Sequence, residues 1–394
     1  MNGEALLLMV VYTASYLTRI NFGAVVLEMA QDTGWSNELL SMALTGSFIT
    51  YGVGQLISGA LGDRFQPRNL VLIGLTVSGI MNAAIPFCHT AAAMTVIWCI
   101  NGFCQSLLWP PLVKFMVSMF SAQEYPRVTM LVALGSPIGT MLVYLAAPLW
   151  IGFWGWQSVF WICALCGWAV ALLWFVRAPR IETQQRRSDL PAESKGSFFS
   201  PMLLMILLAI LMQGTLRDGV ATWMPSYVSE SYGLGSQASI FTGVLMPLFS
   251  IGCYQASSMV YRRFPGNPPL CAGGFFGVAA VSSLLLVLVA GKYVLGSVFF
   301  MALLTGCMHG ANLMLIGMIP AFYRQSGRVS FVSGLLNACT YVGSALSTYG
   351  VAWLSERAGW SAALHTWAVC ALLGFAFCMC SAPLWSRKFL DKKK

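Results

Sequence analysis

The sequence predicts an all-α membrane protein with twelve transmembrane helices in two pseudo-symmetric six-helix bundles. Of its 394 residues, 58% are hydrophobic and only 9% are charged, whereas a soluble globular chain carries about 25% charged residues. The apolar runs reach roughly 20 residues or more, the length at which a helix crosses a bilayer. Transmembrane strands would leave short alternating stretches instead, and the sequence has none. A soluble globular protein is therefore excluded.

Twelve apolar runs give the predicted spans. They are 4–31, 37–61, 69–89, 91–119, 125–150, 155–177, 200–229, 236–261, 269–289, 291–322, 328–354 and 360–384. We expect the first run to be a retained helix and not a cleaved signal peptide, because no basic leader or small-residue cleavage pattern accompanies it.

One long polar stretch divides the spans six and six. Residues 178–199 are rich in charge, serine and proline, so we expect a cytoplasmic linker there. The sequence thus predicts an N-terminal bundle over 1–177 and a C-terminal bundle, with a basic tail, over 200–394.

The two halves repeat each other at fixed offsets. Arg19 precedes Arg64 by 45 residues, and Arg217 precedes Arg262 by the same 45. The sixth and twelfth spans both open with the dipeptide Gly-Trp, and an arginine introduces both the fifth and the eleventh. Together these matches indicate a duplicated six-helix unit. Parallel repeats with a substrate site at mid-depth are a known transporter architecture.

Basic residues follow the distribution of a multi-pass membrane protein with both termini in the cytoplasm. With the amino terminus inside, 17 of the 22 Lys and Arg residues fall in cytoplasmic segments or tails. Lys292 and Arg357 fall in outside loops, and Arg19, Lys114 and Arg217 lie within spans. This positive-inside pattern predicts a protein of the plasma membrane, and we expect the bacterial inner membrane. It also explains the net charge of +9 without a nucleic-acid partner.

The sequence carries no motif for an enzyme, a metal or a cofactor. It has no nucleotide-binding loop and no nucleophile constellation, and its twelve cysteines are scattered through apolar spans, where free thiols pack as small hydrophobes. Cys163 and Cys166 have a C-x-x-C spacing but no second ligand pair nearby. We therefore expect no enzymatic activity, metal or cofactor. We expect a monomer whose partners are the lipid bilayer and a small anion.

Two arginines lie where the spans should cross hydrocarbon. Arg19 in the first span and Arg217 in the seventh are 198 residues apart, and each lies about 15 residues into its span, or ~22 Å along a helix. A guanidinium cannot shed its charge, so at this depth it costs several kcal/mol unless it faces a cavity or a partner. Its planar fork matches an oxyanion. The pattern predicts an anion site, and structural ion pairs, such as Arg217 with Asp218, are the alternative.

The loop between the second and third spans carries a family signature. Its sequence, Gly62-Asp63-Arg64-Phe65-Gln66-Pro67-Arg68, resembles the signature of the major facilitator superfamily, which implies the major facilitator fold. A tight, charged cytoplasmic hinge of this kind suggests a gating role for Asp63 and Arg64. A solvated turn is the alternative.

Three further passages resemble the organophosphate:phosphate antiporters, the glycerol-phosphate and hexose-phosphate exchangers. They are Tyr16-Leu17-Thr18-Arg19-Ile20-Asn21-Phe22, Trp109-Pro110-Pro111, and Leu216-Arg217-Asp218-Gly219 followed by Trp223-Met224-Pro225-Ser226-Tyr227. In that family the two matching arginines bind the substrate phosphate, and the resemblance implies the same roles for Arg19 and Arg217.

Aromatic residues of the first half are candidates for the walls of the same site. Tyr12 and Tyr16 lie seven and three residues before Arg19, so the three should share one helix face. Trp109 precedes a Pro-Pro pair that must break the fourth helix locally, and the resemblance makes it a cavity residue. Ordinary packing is the alternative for all three aromatic residues.

The second half contributes polar candidates. His309 lies in the middle of the tenth span, where it could donate to an anion, carry a transported proton or be a hydrogen-bonded core residue. Asn312 is three residues further on and should share its face. Tyr341 in the eleventh span matches a cavity tyrosine of the family.

The chain departs from the exchangers in two places and from related symporters in a third. They have a lysine in the second helix where this chain has Gln55, and a histidine in the fifth helix where this chain has none. Fewer positive groups suit a less charged anion, either a phosphomonoester at lower affinity or a carboxylate. Related anion:cation symporters have an acid just before the first-helix arginine, where this chain has Thr18. Proton coupling would then need Asp218 or His309.

The leading hypothesis is a secondary transporter of a small organic anion, exchanging an organophosphate for phosphate by alternating access. Proton-coupled symport of a carboxylate or sugar acid is a second transport hypothesis. A membrane sensor of sugar phosphate is an alternative of another class, because relatives of the exchangers include such receptors and fold alone does not fix function.

Overall fold

The computed structural model describes residues 3–181, 200–233 and 245–391. Helices of the first half are α1 (Gly3–Ala24), α2 (Val26–Thr33), α3 (Asn37–Arg64), α4 (Pro67–Ala84), α5 (Ala91–Ser106), α6 (Trp109–Met119), α7 (Tyr125–Ala133), α8 (Gly135–Trp154) and α9 (Trp156–Arg177). Those of the second half are α10 (Pro201–Tyr232), α11 (Leu245–Arg263), α12 (Pro268–Val289), α13 (Val294–Asn312) and α14 (Val329–Phe389). Short 3-10 turns lie at Ile85–Phe87 and Ile319–Tyr323, and a π-helical segment, Leu313–Met318, follows α13.

The predicted all-α membrane fold is confirmed. Within the described ranges, ten helical segments are long and apolar enough to cross a membrane, and they correspond to eleven of the twelve predicted spans. The first predicted span, 4–31, is divided between α1 and α2. The helix α14 contains the predicted eleventh and twelfth spans, which are separated by a kink at Gly359. The predicted eighth span starts outside the described residues, and α11 is its described part. Most of the predicted linker and the end of the basic tail also lie outside them.

Contacts divide the chain into two units, which comprise residues 1–185 with 323–338 and residues 186–322 with 339–394. The segment 323–338 belongs to the second half of the sequence, yet it packs with the first unit. Backbone amides at the start of α14 bind the carboxylate of Asp63 on α3, which provides one physical reason for this grouping. The predicted bundle boundaries at 177 and 200 stay predictions.

The internal repeat is visible in matching contacts inside each unit. In the first unit the indole N–H of Trp156 donates to Asp32 at 2.8 Å, and in the second the indole N–H of Trp360 donates to Glu230 at 2.8 Å. Asp32 and Glu230 are 198 residues apart, the same offset as the two mid-span arginines. Each of these tryptophans follows a glycine with φ 75° and ψ near 170°, a conformation that an L side chain rarely adopts.

A second pair of matching contacts lies near the far end of the same helices. Trp174 donates its indole N–H to the carbonyl of Arg68 at 2.9 Å, and Trp385 donates to the carbonyl of Gly266 at 2.8 Å. Arg68 and Gly266 are again 198 residues apart. The duplicated unit predicted from the sequence therefore extends to individual side-chain contacts.

An aromatic cluster fixes the position of α1 in the first unit. The ring of Phe22 lies 4.9 Å from that of Trp98 on α5 and 5.9 Å from that of Phe160 on α9. All three side chains are fully buried, and such pairs add about 0.5–1.5 kcal/mol each beyond their burial. The half-turn of α1 that carries Arg19 is thereby held close to a rigid core.

Candidate functional site

Three residues of α1 form a continuous face that ends at Arg19. The rings of Tyr12 and Tyr16 are 5.2 Å apart, and the guanidinium carbon of Arg19 lies 5.5 Å from the centre of the Tyr16 ring. The shared face predicted from their spacing is therefore confirmed. All three side chains are half-buried.

Tyr51 on α3 also packs against the Arg19 guanidinium. The guanidinium carbon lies 4.0 Å from the centre of the Tyr51 ring, a cation–π geometry that favours a cation without neutralising its charge. Tyr51 is 4% exposed. Sequence reasoning missed it, because a single tyrosine in an apolar helix has no spacing relation to α1.

Trp109 extends the aromatic face of α1 from a neighbouring helix. The fourth span is broken between Ser106 and Trp109, as the Pro-Pro pair predicts. The Trp109 ring lies 4.8 Å from that of Tyr12. Its Nε1–H is buried and has no hydrogen-bond partner among the described residues, which is unusual for a buried indole. This donor is a candidate for contact with a substrate.

A buried amide network lies behind Arg19 and was not predicted. The carbonyl oxygen of Thr18 accepts from Asn82 at 2.9 Å and from Asn101 at 3.1 Å. Gln105 donates to the hydroxyls of Thr18 and Ser78, both at 2.7 Å. These side chains are at most 2% exposed, and satisfied buried networks specify one arrangement of a core. The network therefore fixes the rotation of α1 at the residue that precedes Arg19.

Arg217 in the second unit has a carboxylate partner on its own helix. Its Nε and Nη2 atoms donate to the two oxygens of Asp218 at 2.7 and 2.8 Å, and Nη1 donates to Asn312 Oδ1 at 3.4 Å. The Asp218 carboxylate also accepts from Ser344 Oγ at 2.5 Å. The Arg217 and Asp218 side chains are 13% and 33% exposed. The structure therefore contains the ion pair that was the alternative interpretation of the sequence, in a position that solvent still reaches.

His309 and Asn312 lie on α13 immediately before an irregular segment. The Nδ1 atom of His309 is 3.3 Å from the Tyr254 hydroxyl on α11, which orients the imidazole. After Asn312 the chain continues as the π-helical segment Leu313–Met318, and π-bulges occur frequently at functional sites. Neither Tyr254 nor this segment was predicted from the sequence.

Tyr341 occupies a half-buried position on α14. It lies three residues before Ser344, the residue that donates to Asp218, so the two share a helix face. Its role in binding stays a prediction.

Asp63, a predicted gating residue, caps the start of α14. Its two carboxylate oxygens accept from the backbone N–H groups of Ser330 and Phe331, each at 2.9 Å. The first N–H groups of a helix lack intrahelical partners and carry partial positive charge, so an anion there is favourable.

Arg64, the other predicted gating residue, is exposed at the end of α3. Arg324, just before α14, donates to the carbonyls of Val117 and Phe120 at the end of α6.

The model of the family described as Major Facilitator Superfamily matches residues 8–348, which is most of the chain. The chain belongs to the Major Facilitator Superfamily. It is a membrane transporter of this superfamily, related to organophosphate transporters.

Several superfamily relatives match over most of their length. The chain is 23% identical to the "Membrane sensor protein UhpC" of Salmonella typhimurium, over 94% of this chain and 90% of that protein. It is 23% identical to the "Probable hexose phosphate transport protein" of Chlamydia muridarum, over 95% and 89%. It is 27% identical to the "Glycerol-3-phosphate transporter" of Bacillus subtilis, over 68% and 67%.

Solved superfamily structures have the same fold. The proton:xylose symporter XylE matches with a TM-score of 0.77 and 12% identity, over 98% of this chain and 95% of that chain. The transporter FucP in its outward conformation matches with a TM-score of 0.73 and 14% identity, over 96% and 98%. At such low identity these likenesses show the fold alone.

Proposed function

We propose that the chain is a secondary active transporter that exchanges an organophosphate for inorganic phosphate by alternating access. The observation that carries the proposal is an arginine within a membrane-spanning helix at corresponding positions of the two halves, each oriented by side chains of its own unit. Arg19 and Arg217 would each donate to the anion, since a guanidinium fork matches phosphate and carboxylate oxygens. Tyr12, Tyr16 and Trp109 would line the site on the Arg19 side.

The substrate class is supported by the relatives. Those named as transporters of glycerol-3-phosphate or hexose phosphate act on organophosphates, and we propose the same class here. We further propose that the protein is a monomer in the bacterial inner membrane, with both termini in the cytoplasm.

Exchange follows from the cost of buried charge. A carrier that alternates its access passes through an occluded state, in which cationic groups are costly unless an anion compensates them. A bound anion would supply that compensation in both directions of transport. The empty carrier would then return slowly, and phosphate would be needed for the return step.

The contact between Arg217 and Asp218 favours a second transport function. Because Asp218 neutralises Arg217, the substrate anion could leave without exposing an uncompensated charge, and the empty carrier could return. Proton-coupled symport of a carboxylate or sugar acid would then become possible. Asp218 or His309 would then carry the proton. The sensor function is favoured instead by the match to a membrane sensor protein.

Counterflow in proteoliposomes tests these functions together. Vesicles loaded with phosphate or with chloride are given labelled glycerol 3-phosphate, glucose 6-phosphate or glycerate. Exchange predicts transient accumulation of an organophosphate in the phosphate-loaded vesicles alone. Glycerate uptake into chloride-loaded vesicles that follows a pH gradient would favour symport. Organophosphate binding without any flux would favour a sensor.

A further inference from the structure

Asp218 occupies the position of a ligand on the Arg217 guanidinium. The parallel contacts from Nε to Oδ1 at 2.7 Å and from Nη2 to Oδ2 at 2.8 Å form the bidentate geometry in which arginine binds a carboxylate or phosphate. One edge of the guanidinium is therefore already bound to a carboxylate of the same chain. A substrate must bind beside this carboxylate or displace it.

Close packing of α10 against α14 holds Asp218 in place. A Cβ atom at Gly214 would collide with the carbonyl oxygen of Thr340, and one at Gly219 would collide with the hydroxyl of Ser347. These two glycines flank the Arg217–Asp218 pair. The resulting backbone approach brings the hydroxyl of Ser344 to 2.5 Å from Asp218 Oδ2. The carboxylate is thus bound from two helices, which opposes its displacement.

An anion that binds beside Asp218 meets charges of both signs. Arg217 Nη1, which donates to Asn312 at 3.4 Å, marks the edge of the guanidinium on the side away from Asp218. Each negative charge on the anion is attracted by the guanidinium and repelled by the carboxylate. A charge within ~4–6 Å changes an ionisation equilibrium by about one to three pKa units, or roughly tenfold to a thousandfold. Asp218 therefore cancels much of the attraction that Arg217 alone would exert on the second negative charge of a dianion, and the larger desolvation cost of the dianion is left uncompensated.

We propose that Asp218 is a specificity-determining residue that restricts the Arg217 site to singly charged anions, such as the monoanionic form of a phosphomonoester. The inference rests on the proposed function, because it requires an anion at Arg217, and it defines the substrate class by charge.

Other groups around Asp218 have to be separated from the substrate's own ionisation. Among the described residues, Arg217 on its own helix and Ser344 on α14 contact Asp218, and His309 on α13 interacts with it electrostatically. Asn312 contacts Arg217, and Tyr254 of α11 contacts His309. An ordinary histidine changes its charge between pH 5 and 8. The test therefore needs one probe whose charge changes in this range and one whose charge does not.

Methyl phosphate and dimethyl phosphate are such a pair of probes. A phosphomonoester has its second pKa near ~6, so methyl phosphate is mainly monoanionic at pH 5 and dianionic at pH 8, whereas the diester keeps one charge. Binding of each probe to the purified full-length protein in nanodiscs would be measured by calorimetry at both pH values. The measurement would be repeated with Asp218→Asn, and with Ser344→Ala, which keeps the carboxylate and removes its hydroxyl partner.

We expect the wild type to bind methyl phosphate about tenfold more tightly at pH 5 than at pH 8, with dimethyl phosphate changing much less. Asp218→Asn should bind methyl phosphate about tenfold more tightly than the wild type does at pH 8. Ser344→Ala should retain the wild-type preference for methyl phosphate at pH 5 over pH 8. Tighter wild-type binding of methyl phosphate at pH 8 would overturn the proposal even if Asp218→Asn failed to fold. Equal weakening of both probes by Asp218→Asn, with the pH preference kept, would also overturn it and leave Asp218 as a positioning residue. Binding of neither probe to the wild type would reject the anion site itself, and the proposed function with it.

Discussion

Asp218 binds the guanidinium of its sequence neighbour Arg217 through both carboxylate oxygens, at 2.7 and 2.8 Å. Neighbouring residues on a helix point about 100° apart, so this contact requires both side chains to bend towards each other. The corresponding arginine of the first unit, Arg19, is instead held by the Tyr16 and Tyr51 rings. The repeat thus preserves the cation in both halves but differs in how each is held.

Replacing either arginine with lysine should abolish exchange. Arg19→Lys and Arg217→Lys keep the charge but lose the planar fork. Loss of one charged hydrogen bond costs about 1.5–3 kcal/mol, or roughly ten- to a hundredfold in affinity. Counterflow measures the loss, and membrane abundance checks folding. The exposed Arg180→Lys is the matched control. Normal counterflow by either mid-helix variant would remove that arginine from the binding site.

The cap on α14 should contribute to stability and to the transport cycle. The asparagine side chain of Asp63→Asn has only one oxygen that can accept, so one of the two hydrogen bonds to backbone N–H groups is lost. The negative charge at the helix N-terminus is lost as well, and together these losses should lower the free energy of unfolding by about 1 kcal/mol. We expect Tm to fall by a few degrees and the exchange rate to fall with it. Glu356→Gln, an exposed carboxylate change in the same helix, is the control.

The same assay separates the two predicted gating residues. Arg64 is exposed at the end of α3, so Arg64→Gln should leave Tm unchanged, and any fall in exchange rate would then point to a gating role. An Asp63→Asn protein with wild-type Tm and wild-type exchange would show that the cap has no part in gating.

His309 should act as an anion ligand whose ring is oriented by Tyr254. His309→Gln keeps a donor near the same place and should weaken phosphate binding by a few-fold. Tyr254→Phe removes the hydroxyl that contacts Nδ1 at 3.3 Å and should have the smaller effect. Calorimetry measures binding, and counterflow is measured in parallel. If His309→Gln lost proton-driven uptake while counterflow persisted, His309 would be a proton carrier and not a ligand.

The matching tryptophan contacts should contribute equally to the two units. Trp156→Phe and Trp360→Phe keep the ring but remove the N–H that donates to Asp32 or Glu230. Because both carboxylates are exposed, each loss should cost about 1 kcal/mol or less. Thermal melting measures it, with the exposed Trp154→Phe as the control. A large fall for one variant and none for the other would contradict the equivalence of the two contacts.

Features that depend on spacing along one helix could be predicted from the sequence. Apolar runs predicted the spans, and the Pro-Pro pair predicted the break before Trp109. The spacing along α1 predicted the face shared by Tyr12, Tyr16 and Arg19. These depend on the period of a helix and on the chemistry of proline. The repeat predicted from the sequence is also seen in the contacts of Asp32 and Glu230, which lie at the same offset of 198 residues as Arg19 and Arg217.

Features that depend on which helices pack together could not be predicted. Tyr51, Asn82 and Asn101 reach α1 from other helices, and their sequence positions carry no signal of that contact. For Arg217 the sequence was compatible with an anion site or an ion pair with Asp218, and in the structure Asp218 contacts Arg217. The contact from Asp63 to Ser330 joins residues far apart in the chain, so the loop signature indicated the importance of Asp63 but not its partner.

The most direct test of the central claim is the release of labelled phosphate from preloaded proteoliposomes. Exchange predicts that release is slow when the outside solution lacks an anionic substrate and becomes fast when phosphate or an organophosphate is added, and that this acceleration is absent in Arg19→Lys and Arg217→Lys. Rapid release without any external anion, or net uptake into empty vesicles driven by a pH gradient alone, would contradict the account.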